Sequence, residues 1–125
     1  MITRPRRIAL LLALFLEVAW PSPAAAHSLP TRFDPRENAA VPAGPVEVRI
    51  VFDGDLEPAF SGIEVTDAAG RRVDNRDARV DGKTRRLLRV GLGAMRPGVY
   101  RVSWKILAID GHRAQGTYVF TVGPR

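Results

Sequence analysis

The sequence predicts an all-β sandwich of about seven strands. Three observations predict it. From Val46 onward apolar residues alternate with polar ones, the period of a strand with one buried face, and do not recur at helical spacing. The apolar runs are short and are separated by Gly, Pro and Asp turns. No amphipathic stretch of helical length lies between them.

A short first strand is expected near Phe33. The segment from Phe33 to Pro45, rich in Pro, Ala and charge, is expected to loop from it to the next strand. There Val46, Val48, Ile50 and Phe52 face inward, with Glu47 and Arg49 outward. Ile63 and Val65 alternate with Glu64 and Thr66 ahead of a turn at Asp67 to Gly70. Asp81-Gly82 suits a hairpin turn that opens the run Arg86, Leu88, Val90, Leu92. Tyr100, Val102, Trp104 and Ile106 face inward between Arg101, Ser103 and Lys105, and Tyr118, Phe120 and Val122 close the chain in the same style.

Residues 1–26 read as a cleaved signal peptide. Arg4, Arg6 and Arg7 form a basic start, Ile8 to Leu16 an unbroken apolar run, and Ala24-Ala25-Ala26 supply the small residues that precede a cut. The apolar run is short for a membrane span of roughly 20 residues, which favours cleavage, with a retained, uncleaved anchor as the alternative. Cleavage before His27 would leave residues 27–125 as one exported domain, soluble outside the cytoplasmic membrane. Arg6-Arg7 is compatible with general or twin-arginine export. The formal charge of +6 falls to +4 when Arg4, Arg6, Arg7 and Glu17 leave. The remaining basic residues are scattered, with no aromatic platform between them, so no nucleic-acid partner is expected. Cysteine is absent, which excludes disulfides and thiolate metal sites. Met1 and Met95 are the only methionines, too few for a thioether site for Cu(I).

The two histidines of the chain are His27 and His112. At a processed terminus His27 would offer a metal both its amine and its imidazole. His112 ends the triplet Asp110-Gly111-His112, in a loop between two strands, where sites are commonly grafted on a rigid sandwich. Glycine between them lets the chain turn so that both side chains converge. An amine, two imidazoles and a carboxylate suit the tetragonal preference of Cu(II), which heads the divalent affinity order. Zn(II) is the competitor, but a tetrahedral zinc site takes side-chain ligands, and here His27, Asp110 and His112 supply three. An Asp-Gly turn followed by an exposed histidine is the plain structural alternative.

The stretch Arg96 to Trp104, then Asp110-Gly111-His112, then Gly116 to Val122, resembles the C-terminal signature of the CopC copper-resistance family. Leu56 to Ser61 with Ile63 to Asp67 and Gly70 is similar to that family's middle, and Ala26-His27-Ser28-Leu29 to its processed start. The resemblance implies a periplasmic, seven-stranded Greek-key β-sandwich, immunoglobulin-like and cupredoxin-like. It implies Cu(II) binding through the amine and imidazole of His27 together with Asp110 and His112. It also implies a possible copper transporter of the CopD type in the inner membrane as partner, and a monomer is expected. The Met-rich Cu(I) site of some members is missing. Many members carry Ser-Glu just before Leu-Glu-Pro, with the Glu near the metal; here Asp53-Gly54-Asp55 stands there. Asp53 or Asp55 would either support the metal from behind its ligands or form a charged tight turn. Trp104 and Tyr100 are expected in the core, with contact near the metal as the alternative.

A carrier is expected, not an enzyme. Two other classes remain open at this point. A copper mono-oxygenase shares the terminal-histidine donor set, although an aspartate ligand disfavours Cu(I). A metal-free immunoglobulin-like interaction module would need no chemistry at all.

Overall fold

Where the sequence alternates, the chain forms strands whose apolar members share one face. The computed structural model describes residues 28–45 and 47–123. The leader read in residues 1–26, His27 and Val46 lie outside them. Eight strands form among the described residues: β1 Pro30–Asp34, β2 Ala40–Val41, β3 Glu47–Phe52, β4 Gly62–Thr66, β5 Arg79–Val80, β6 Leu87–Gly91, β7 Gly98–Leu107 and β8 Arg113–Val122. They build two four-stranded sheets, ordered β1-β3-β6-β5 and β2-β8-β7-β4. Every pairing is antiparallel except that of β2 with β8.

The all-β, two-sheet expectation holds, and the strand count is eight where about seven were expected. One addition is β2, inside the segment read as a loop. Its two residues are too few to show a period. Backbone hydrogen bonds hold it: Asn38 N–H donates to Val119 O at 2.7 Å, Thr121 N–H to Ala39 O at 2.8 Å, and Gly123 N–H to Val41 O at 2.8 Å. The Asp81-Gly82 turn closes the β5–β6 hairpin, with Val80 opposite Leu88.

Val48, Ile50 and Phe52 of β3 and Leu88 and Val90 of β6 meet Ile63, Val65, Val102, Ile106 and Phe120 of the opposite sheet. Each fully buried side chain of this size contributes about 1.5–3 kcal/mol over its exposed state. Trp104 crosses to Phe52 edge-on, with ring centroids 5.3 Å apart. Tyr100 stacks on Phe120 at 5.6 Å, and its hydroxyl donates to Arg96 O at 2.6 Å. Both aromatics are therefore core residues. Tyr118 packs on Phe33 at 4.7 Å, and its buried hydroxyl has no hydrogen-bond partner among the described residues. Burial, with Asp34 nearby, pushes that phenol's pKa up.

Asp74 is a buried carboxylate on the outer side of β4, where Arg72 bridges Thr66 and Val73 N–H donates to Val65 O at 2.8 Å. Its Oδ2 accepts Val65 N–H at 2.9 Å and Arg72 Nε–H at 2.9 Å, and its Oδ1 accepts Arg76 N–H at 2.8 Å. Burial raises its pKa, but the Arg72 guanidinium and the two amides outweigh that and hold the carboxyl below the ordinary range. With the backbone bonds from residues 71–73, the Asp74 carboxylate on the Val65 amide covers the outer edge of β4 against pairing with another chain.

One end of the sandwich gathers three segments. β1 begins there beside the end of β3, with Pro30 opposite Phe52. The loop between β7 and β8 closes at the same end, tied in by the bridge between Leu56 and Ala108.

Candidate metal centre

The loop Ala108–His112 is a tight reversal between two ten-residue strands. Ala108 N–H donates to His112 O at 2.8 Å, and Gly111 N–H donates to Ala108 O at 2.9 Å. Gly111 has φ +93°, a conformation that a side chain strongly disfavours. This turn brings the side chains of Asp110 and His112 together. Asp110 Oδ1 accepts the His112 N–H at 3.0 Å and lies 3.1 Å from His112 Nδ1. Their side chains are 34% and 48% exposed, so a solute reaches both. Carboxylate and imidazole thus face one another at the sandwich end.

His27 lies outside the described residues, yet its covalent neighbour is well placed. Ser28 is buried at 5% exposure and sits over Gly54, where an added Cβ would come within 2.5 Å of Ser28 Oγ. Leu29 N–H donates to Asp53 Oδ1 at 2.7 Å, and Asp53 N–H donates back to Leu29 O at 3.0 Å. Two residues on, Asp55 O accepts Ile109 N–H at 3.1 Å, and its carboxylate pairs with Arg86 Nε at 3.1 Å. The Asp53–Asp55 turn therefore lies between the start of the described chain and the Asp110–His112 loop.

Among the described residues no group of three or more His, Cys, Asp or Glu is placed to hold a metal. Asp53 and Asp55 do not join Asp110 and His112 in such a group. Sequence reasoning weighed Asp53 as support or as a charged turn; it did not find that its carboxylate binds a backbone amide 24 residues away. A short-range motif carries no signal for such a contact. Asp110 and His112 together offer one carboxylate and one imidazole donor.

The CopC domain model matches residues 31–123 of the chain. The chain belongs to the CopC family. Its fold is similar to the crystal structure of CopC from Methylosinus trichosporium OB3b, with 33% identity, a TM-score of 0.74, and coverage of 79% of this chain and 96% of that one. PcoC, a methionine-rich copper resistance protein from Escherichia coli, is 27% identical with a TM-score of 0.66, over 78% of this chain and 99% of its own. The copper transport protein CutJ of Bacillus subtilis (strain 168) is 31% identical over 115 residues, 91% of this chain but 21% of that protein. The CopC sandwich thus accounts for both sheets of this chain. Among the described residues no helix is long and apolar enough to cross a membrane.

Proposed function

We propose that this CopC-family chain is a periplasmic Cu(II) carrier that holds the ion for resistance or delivery. Residues 1–26 are its cleaved export signal and residues 27–125 its working domain. The ligands are the amine and imidazole of His27, the Asp110 carboxylate and the His112 imidazole. One observation supports this above the rest: Asp110 and His112 face one another at 3.1 Å at the sandwich end where Ser28, the next residue after His27, packs on Gly54.

The donor chemistry fits the ion. Nitrogen and oxygen donors without sulfur favour Cu(II) over Cu(I), and the chain has no cysteine and lacks the methionine richness named for PcoC. A similar segment forms about a fifth of the copper transport protein CutJ, which supports delivery to a membrane transporter of the CopD type. Open access to the Asp110–His112 pair suits exchange of the ion with such a partner, and the reading needs no catalytic step.

Copper competition titrations of the processed protein test it. One equivalent of Cu(II) should bind tightly, and His112→Ala and Asp110→Ala should each weaken binding by more than about 100-fold, beyond the 10–100-fold cost of losing a supporting contact. Wild-type binding in both variants would refute it. Absence of stoichiometric copper binding would leave a metal-free interaction module.

A further inference from the structure

The two outer faces of the sandwich treat their charges differently. On the side of the β1-β3-β6-β5 sheet Glu47 pairs with Arg89 at 2.8 Å and with Arg49 at 3.6 Å, Asp81 with Arg89 at 3.3 Å, and Asp77 with Arg79 at 3.4 Å. The outer face of the opposite sheet presents Glu64 from β4, Ser103 and Lys105 from β7, and Gln115 and Thr117 from β8. None of these five side chains makes a hydrogen bond or an ion pair among the described residues. Together they line a groove of about 680 Å³, within the size range of small-molecule sites.

Strand pairing lays the groove out in two rows. Glu64, Ser103 and Thr117 stand side by side, and Gly62, Lys105 and Gln115 form the next row. Gly62 therefore leaves a gap beside both Glu64 and Lys105, and a Cβ placed there meets nothing within 4 Å. Glu64 and Lys105 are diagonal neighbours, a spacing that long side chains can close, yet no ion pair joins them. Arg72 also borders the groove and spends its guanidinium on Asp74 at 2.9 Å. Trp104 lines it as well: it is 8% exposed, its ring lies against Gly116, and its N–H has no acceptor among the described residues.

We propose that this groove binds a free amino acid with a polar side chain. The α-ammonium meets Glu64 and the α-carboxylate meets Lys105, both over Gly62, and the side chain crosses Ser103 toward Gln115 and Thr117. Paired opposite charges select a zwitterion. An anion drawn to Lys105 also meets the Glu64 carboxylate, and a cation drawn to Glu64 also meets the Lys105 ammonium, whereas a zwitterion satisfies both. The gap at Gly62 gives the ligand the room that a side chain would take. No residue of the Asp110–His112 loop takes part, so the inference stands apart from the copper reading.

The test titrates L-glutamine into the metal-free, processed chain and follows backbone amide shifts by nuclear magnetic resonance. Saturable shifts are expected at Gly62, Ser103 and Gln115. Glu64→Gln and Lys105→Met should each weaken binding about tenfold or more, since each removes a hydrogen bond between charged groups. Gly62→Leu fills the gap and should weaken binding as much, with thermal unfolding unchanged. Arg49→Gln, on the other sheet, should leave binding as in wild type. Acetate and methylammonium each carry half of the zwitterion and should bind at least about tenfold more weakly than glutamine. Acetate binding as tightly as glutamine would reduce the groove to a lone lysine and overturn the proposal. Wild-type binding in Gly62→Leu, or no saturable shift at these amides, would overturn it as well.

Discussion

Asp110 Oδ1 lies 3.0 Å from the His112 amide nitrogen and 3.1 Å from its Nδ1, so one carboxylate oxygen engages both the backbone and the ring of the same histidine. A histidine nitrogen held by a carboxylate fixes the ring's orientation, as is common where the other nitrogen meets a metal. The residue between them permits this arrangement.

Gly111 adopts φ +93°, and an added Cβ there meets nothing within 4 Å. The cost of Gly111→Ala is therefore backbone strain alone, about 1–2 kcal/mol. Thermal unfolding should show that loss, and copper affinity should drop as Asp110 and His112 separate. Full retention of both stability and affinity would mean that the turn is not needed.

Asp74 links stability to acid. Its lowered pKa stabilises the fold above the unfolded-state value of about 3.9, and that contribution disappears as pH falls through the lower folded-state value. Between the two the unfolded chain binds the extra proton, so stability rises with pH. Asp74→Asn should cost about 1–3 kcal/mol near neutrality, because the charge that pairs with Arg72 is lost and the amide keeps one acceptor oxygen, so its NH2 faces either the Arg76 N–H or the Val65 and Arg72 N–H groups. The difference between wild type and variant in denaturant unfolding should narrow below pH 4. A constant difference from pH 7 to pH 3 would contradict this.

Tyr118 presents the opposite case. Its hydroxyl is buried without a partner among the described residues, so it gains no compensation for lost water. Tyr118→Phe keeps the ring against Phe33 and should leave stability equal or raise it by up to about 1 kcal/mol. A clear loss in urea unfolding would show that the hydroxyl has a bonding partner.

The long strands were legible because one face of each is buried: Tyr100 to Ile106 and Tyr118 to Val122 alternate in the sequence and point inward in the fold. β2 was not, since Ala40–Val41 carries no period and is held by backbone bonds to the last strand. Leu87 also escaped: it is buried beside Leu88, opposite Val51, and breaks the alternation that began from Arg86. In the site, the convergence of Asp110 and His112 followed from the intervening glycine. The role of Asp53 did not, because its partner is an amide brought near only by the pairing of β1 with β3.

The central claim is that the amine of His27 is a copper ligand. Electron paramagnetic resonance of the processed protein with one equivalent of Cu(II), beside a copy carrying one extra glycine ahead of His27, tests it most directly. The authentic terminus should give a tetragonal, nitrogen-rich spectrum that the extended copy fails to reproduce, with weaker binding in the copy. Identical spectra and affinities would show that the terminal amine is not a ligand, and the proposed centre would have to be abandoned.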